Sequence, residues 1–149
     1  MNIMKKIVFT SIVCVCLSFS LTACEKETPI MESELPSEIK SYVERHFSMD
    51  KISFSVKDQD GVKLTYDITL QSGVKLEFNS AREIIDIDGN NKKLPDSVIP
   101  EKILSYVGSA FPNAFVTDWK LEGRFQKVEL NNSMDLLFDA DGNFKKIDD

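Results

Sequence analysis

The chain predicts an α+β fold: two tandem helix-plus-four-strand units sharing one antiparallel sheet of about eight strands, helices on one face and the other face open. Three observations carry this. The body repeats itself, each repeat opens with a helical apolar stripe, and each continues with period-two alternation closed by tight turns.

The repeat is read directly. Leu35-Pro36-Ser37-Glu38-Ile39, followed by Ser41-Tyr42-Val43 and Phe47, returns 64 residues later as Ile99-Pro100-Glu101-Lys102-Ile103, Ser105-Tyr106-Val107 and Phe111. Further on the offset is 60, with Ile68 and Leu70 matching Val128 and Leu130, and Val74, Leu76 and Phe78 matching Met134, Leu136 and Phe138. A four-residue deletion at a turn accounts for the change. Pro36 and Pro100 suit a first helical turn, where the missing N–H costs nothing. Ile39, Tyr42, Val43, His46 and Phe47 recur at three- and four-residue steps, and Ile103, Tyr106, Val107, Ala110 and Phe111 repeat that stripe.

Strands follow because the period changes. Ile52, Phe54 and Val56 alternate with Ser and Lys; Leu64, Tyr66, Ile68 and Leu70 with Thr and Asp; Val74, Leu76 and Phe78 with Lys and Glu. Asp58-Gln59-Asp60-Gly61, Gln71-Ser72-Gly73 and Asp141-Gly142-Asn143 supply hairpin turns, so neighbouring strands run antiparallel. A unit of about 50 residues buries too little surface to be secure alone, which favours a shared sheet. The expected organisation is a signal peptide over 1–23, a tether over 24–33, and one domain over 34–149. Its repeats span 34–88 and 98–149, joined by a linker over 89–97.

The amino terminus reads as an address. Lys5 and Lys6 precede a 15-residue apolar run, Ile7 to Leu21, too short to span a bilayer comfortably. Leu21-Thr22-Ala23-Cys24 resembles the bacterial lipobox, which implies a lipid on Cys24 and a soluble domain anchored in the cell envelope, at an outer membrane facing periplasm or cell surface. Cys14 and Cys16 leave with the signal, so the mature body holds no disulfide and must rely on its core.

The helix pattern, alternating strands and Phe138-Asp139-Ala140-Asp141-Gly142-Asn143 hairpin, occurring twice behind a lipobox, resemble the PepSY-like, β-lactamase-inhibitor-protein-like envelope family. The resemblance covers about residues 34–149 and implies a concave sheet with helices on its convex side. It carries over no catalytic residues. The first unit departs from the hairpin motif, since Asn79-Ser80-Ala81-Arg82 lacks the glycine, and a looser turn is expected there.

The charge is −6 with a pI near 4.9, which argues against phosphate-held nucleic acid; losing Lys5 and Lys6 makes the body more acidic still. His46 is the single histidine, no thiol remains in the mature chain, and no G-x-S-x-G flags a serine, so it reads as a packing residue and the protein as no enzyme. No cofactor and no metal are expected. Asp139-Ala140-Asp141-Gly142-Asn143 lacks the closing glutamate of a calcium loop and reads as turn chemistry, as does Asp86-Ile87-Asp88-Gly89-Asn90-Asn91; weak calcium binding by the carboxylates crowding these turns is the alternative, and would make the protein a calcium-dependent module.

The expected function is binding. Phe115, Trp119 and Leu137 break the alternation of the second unit, so some of them point away from the helices unless a bulge re-aims them. Trp119 is the expected anchor for a protein or small-ligand partner, with Lys127, Glu129 and Asp135 around it. The alternative is an inhibitor of a periplasmic hydrolase, as the family resemblance implies, which requires a protruding loop rather than a flat face.

Overall fold

The computed structural model describes residues 25–148. Cys24 and the apolar run before it lie outside them. Nine antiparallel strands form one meander in chain order, β1 (Glu25–Pro29), β2 (Ile52–Asp60), β3 (Lys63–Leu70), β4 (Lys75–Phe78), β5 (Ile84–Asp88), β6 (Val116–Glu122), β7 (Phe125–Leu130), β8 (Asp135–Asp139) and β9 (Phe144–Ile147). Helix α1 (Ser37–His46) precedes β2 and helix α2 (Glu101–Ala110) precedes β6. The sheet thus has nine strands where about eight were expected. The extra one is β1, drawn from the polar stretch 24–33 that was expected to be a tether. It pairs with β2 from Glu25 opposite Asp60 to Pro29 opposite Val56.

β2 offers β1 a free outer edge, whereas the matching edge of β6 is taken by β5. The β2–β3 hairpin is longer than the β6–β7 hairpin by two residues on each strand. The four-residue change of offset lies here; β1 runs along Val56–Asp60, the turn-side half of β2, of which only Gln59 and Asp60 exceed the length of β6.

Both helices put their apolar stripes on the same sheet face. Ile39 and Ile103 are fully buried, as are Phe78 and Phe138 beneath them. Tyr42 meets Phe78 edge-on at 5.3 Å and Tyr106 meets Phe138 edge-on at 5.5 Å, the same contact in each half. Burial pushes the Tyr42 phenol up to about 12. The core runs without a break from Leu35 to Phe138 and includes Leu94, in the stretch expected to be a linker. That stretch extends the sheet's seam: the Gly89 N–H donates to Thr117 O at 2.9 Å and the Leu94 N–H to Val116 O at 2.9 Å. A Cβ on Gly89 would sit 2.3 Å from Thr117 O, so only glycine fits at this crossing.

The turns match between halves more closely than the sequence implies. In the second, the Asp139 side chain accepts from the N–H groups of Asp141 (3.1 Å) and Asn143 (2.8 Å), and Gly142 takes φ 78°. In the first, Asn79 accepts from Ala81 (2.9 Å) and Glu83 (3.0 Å), and Arg82 takes φ 67°. The turn expected to be looser is the same turn, with an arginine forced into the left-handed region. That conformation costs an L-residue about 1–2 kcal/mol. Arg82→Gly should therefore stabilise the protein by about 0.5–1 kcal/mol, the glycine's extra unfolded-state entropy offsetting part of the relief. Urea unfolding followed by circular dichroism measures it; a loss of stability would show that Arg82 is held by contacts rather than merely tolerated.

Candidate functional site

The face away from the helices is uncovered by any described residue, and β-bulges decide which side chains it displays. The β2–β3 register slips between Ile52 and Phe54, and the β6–β7 register slips between Val116 and Asp118. A bulge inserts one residue and reverses the facing of every side chain beyond it. After Ser53, Ser55 turns inward, where its hydroxyl donates to Ile30 O at 2.7 Å, and Phe54 and Val56 turn outward. After Thr117, Trp119 turns inward and Asp118 and Lys120 turn outward.

This corrects the expected anchor. Trp119 is only 6% exposed, pairs with the core residues Ile87 and Val128, and its Nε1–H donates to Gln126 Oε1 at 3.0 Å. Gln126 is buried too, and its amide reaches the carbonyls of Asp139 and Ala140 at the turn. Phe115 is not on the open face either; it is half-buried beside Leu104 and Val107 at the end of α2. Leu137 does face outward, half-buried, opposite Lys127 and Lys146. Lys127, Glu129 and Asp135 join it, Lys127 paired with Asp135 at 2.7 Å. The exposed aromatic of the face is Phe54, 53% open. Sequence alternation had put it in the core, and only the matching bulges, at positions 64 apart, tie Phe54 to Asp118.

Carboxylates dominate what remains. Asp67, Glu77 and Asp86 are direct cross-strand neighbours, lining a shallow depression of about 250 Å³ with Thr69, Lys75 and Asp88. Burial, then the charges of Glu77 and Asp58, push the Asp67 carboxyl up to about 6. Asp118 is raised as well, chiefly by burial, with Asp88 and Glu129 adding repulsion against a Thr117 hydrogen bond. Lys120 reaches Asp86 at 2.7 Å, Lys75 reaches Asp88 at 3.6 Å and Lys63 reaches Glu77 at 3.4 Å. The lysine ends of these pairs are solvent-exposed, and each pair contributes about 0–1 kcal/mol.

Two other groups are spoken for. His46 lies tilted against Tyr42, ring centroids 4.5 Å apart, and sets Nδ1 2.9 Å from Ser97 Oγ in a seam between α1 and the 89–97 stretch; burial, then the Arg45 charge, lowers its pKa. Asp139 gives its oxygens to its own turn and to Lys145 at 2.8 Å, the lysine holding its carboxyl well below the ordinary range. Among the described residues no group of three His, Cys, Asp or Glu side chains is placed to hold a metal ion, and no helix is long and apolar enough to cross a membrane.

A family model described as "Putative beta-lactamase-inhibitor-like, PepSY-like" matches the chain twice, over residues 21–85 and 64–146. Three solved structures share the fold. A "putative calcium-regulated periplasmic protein" of Bacteroides thetaiotaomicron is 26% identical, with TM-score 0.78, the match covering 83% of this chain and 97% of that one. A periplasmic protein of Bacteroides vulgatus described as of the DUF2874 family is 25% identical (TM-score 0.77; 83% and 97% covered). A second from that organism, "of unknown function", is 27% identical (TM-score 0.78; 83% and 100% covered). No curated protein matches in sequence.

Truncating the two aromatics should separate core from surface. Trp119→Ala should cost about 3–5 kcal/mol, a core truncation, whereas Phe54→Ser should stay within about 0.5 kcal/mol; the two urea midpoints decide it, and a stable Trp119→Ala variant would return that side chain to the surface. Asp67 binds its proton more tightly folded than unfolded, so its contribution to stability is lost as pH rises from the ordinary aspartate value of 3.8 through about 6. Asp67→Asn should accordingly raise the melting temperature at pH 7.5, with the gain fading as pH is lowered toward 3.8. A pH-independent difference would mean the carboxylate is not strained.

Proposed function

The chain belongs to this PepSY-like, β-lactamase-inhibitor-like family, and on that premise we propose that it is a non-enzymatic cell-envelope protein that binds a partner on its open sheet face. We read it as two tandem helix-plus-four-strand units, each half pairing one helix with four strands of the common sheet. The observation that carries the binding reading is the pair of matched bulges. They turn Phe54 and Val56 out onto a face that no described residue covers, leaving an aromatic ring half in water.

The location rests on two supports. The related proteins of known structure are described as periplasmic, and the segment before β1 carries the lipobox-like Leu21-Thr22-Ala23-Cys24. An acyl chain on Cys24 would hold the domain beside a membrane rather than thread it through. Since β1 starts at Glu25, the anchor would join directly to the sheet's edge strand.

Envelope capture tests both parts. Cys24→Ser should move the protein from the membrane to the soluble fraction. Phe54→Ser should reduce the captured partner at least fivefold, while Met49→Ser, fully exposed in the turn between α1 and β2, leaves it unchanged. Inhibition of a β-lactamase abolished by Val62→Asp, at the wholly exposed tip of the β2–β3 hairpin, would overturn the sheet-face reading in favour of an inhibitor working through its loop.

A further inference from the structure

The charges of the open face form a pattern that no single strand reveals. In the register row through Val56, the acids Asp67, Glu77 and Asp86 follow one another on β3, β4 and β5. In the adjacent row, two residues along the strands, Asp88, Asp118, Glu129 and Asp135 follow on β5 to β8. Joined at β5, the rows make one diagonal acidic band from β3 to β8. Its carboxylates are directly opposed across every strand pair, an arrangement that destabilises a sheet. Lysines answer some of them, but among the described residues Asp67, Asp118 and Glu129 have no ion-pair partner.

The architecture does not call for these acids. The residues that stand 60 positions after Asp67, Glu77 and Asp86 are Lys127, Leu137 and Lys146, on the same face of matching strands. The same frame accepts lysine and leucine there, so the repulsion in the first half is not the price of the fold. Repulsion between neighbouring carboxylates is relieved when positive charge is laid over them.

We infer that the open face receives an extended, lysine- or arginine-rich segment of a protein partner, laid diagonally across the strands with an apolar residue seated against Phe54 and Val56. This rests on the open-face reading and names its partner. The band crosses five strand spacings of about 4.8 Å, roughly 24 Å, which about seven extended residues span. A lone divalent cation does not fit, because no three of the carboxylates are placed to converge on one ion. A second copy would bring the same acidic band and be repelled, and anionic lipid headgroups are repelled likewise. The half-exposed Phe54 ring at the β2 end gives a peptide side chain something a small polyamine lacks.

The test uses the full mature chain and a fluorescein-labelled nonapeptide with five lysines and a leucine at one end. Anisotropy should report binding tighter than about 100 μM in low salt, weakening steeply between 50 and 200 mM NaCl. Combining Asp67→Asn, Asp118→Asn and Glu129→Gln should weaken it at least tenfold, whereas Glu38→Gln, Glu44→Gln and Glu101→Gln, an equal charge change on the helices, should alter it less than twofold. Phe54→Ser should weaken the leucine-ended peptide at least threefold and an alanine-ended one not at all. The three-acid variant should also melt higher than wild type, which separates lost binding from lost folding. Equal losses in both triple variants, displacement of the peptide by equimolar calcium chloride, or no binding below 1 mM would each overturn the inference. If the peptide fails while Phe54→Ser still releases the envelope partner, the open-face reading stands and only the cationic segment falls; if Phe54→Ser releases nothing, both fall.

Discussion

Everything in this molecule depends on one sheet having a single apolar face that neither helix can cover alone. α1 hides the strands of the first half and α2 those of the second, and between them the β5–β6 pairing must keep the two stretches of sheet coplanar. That seam is short: Asp86, Ile87 and Asp88 face Lys120, Trp119 and Asp118. It is lengthened by the stretch after β5, whose backbone reaches Thr117 and Val116 and whose Leu94 enters the core. Gly89 permits the crossing because its backbone passes too close to a carbonyl for any side chain. The joint between the halves is thus itself core, and the halves share it.

Bulges then divide the labour between the faces. At Ser53 and Thr117 the inserted residue exchanges inside for outside. In the first half this moves an aromatic ring out and a serine in. In the second it moves an indole in, where a buried glutamine answers its N–H. The same backbone device has opposite chemical results because the residues after it differ. A face otherwise set by strict alternation acquires a half-exposed phenylalanine at one end and an acidic seam at its centre.

Placing so many carboxylates side by side is unfavourable for folding; the raised proton affinity of Asp67 comes first from burial, with the charges of Glu77 and Asp58 adding to it. The helix side shows no comparable crowding: Glu38, Glu44 and Glu101 share their helices with Lys40, Arg45 and Lys102. An acidic sheet face against a mixed helical one orients the domain electrostatically as well as sterically.

The order of elements, both helices, the hairpins and the sharing of one sheet were legible in the sequence, because the 3.6- and 2-residue periods are local and Ile39, Val43, Ile103 and Val107 display them openly. Turn chemistry was legible where a glycine marked it and hidden where Arg82 stands in its place. β1 was not legible: Glu25-Lys26-Glu27-Thr28-Pro29 has little strand character of its own, and it pairs because β2 has an outer edge free where the matching edge of β6 is taken by β5. Nor was the facing of Trp119 or Phe54. A bulge arises from how two strands slide against each other, so a single strand's pattern does not contain it, yet one inserted residue inverts every side chain beyond. Sequence thus determined what the strands are; only their mutual register decided which way they look.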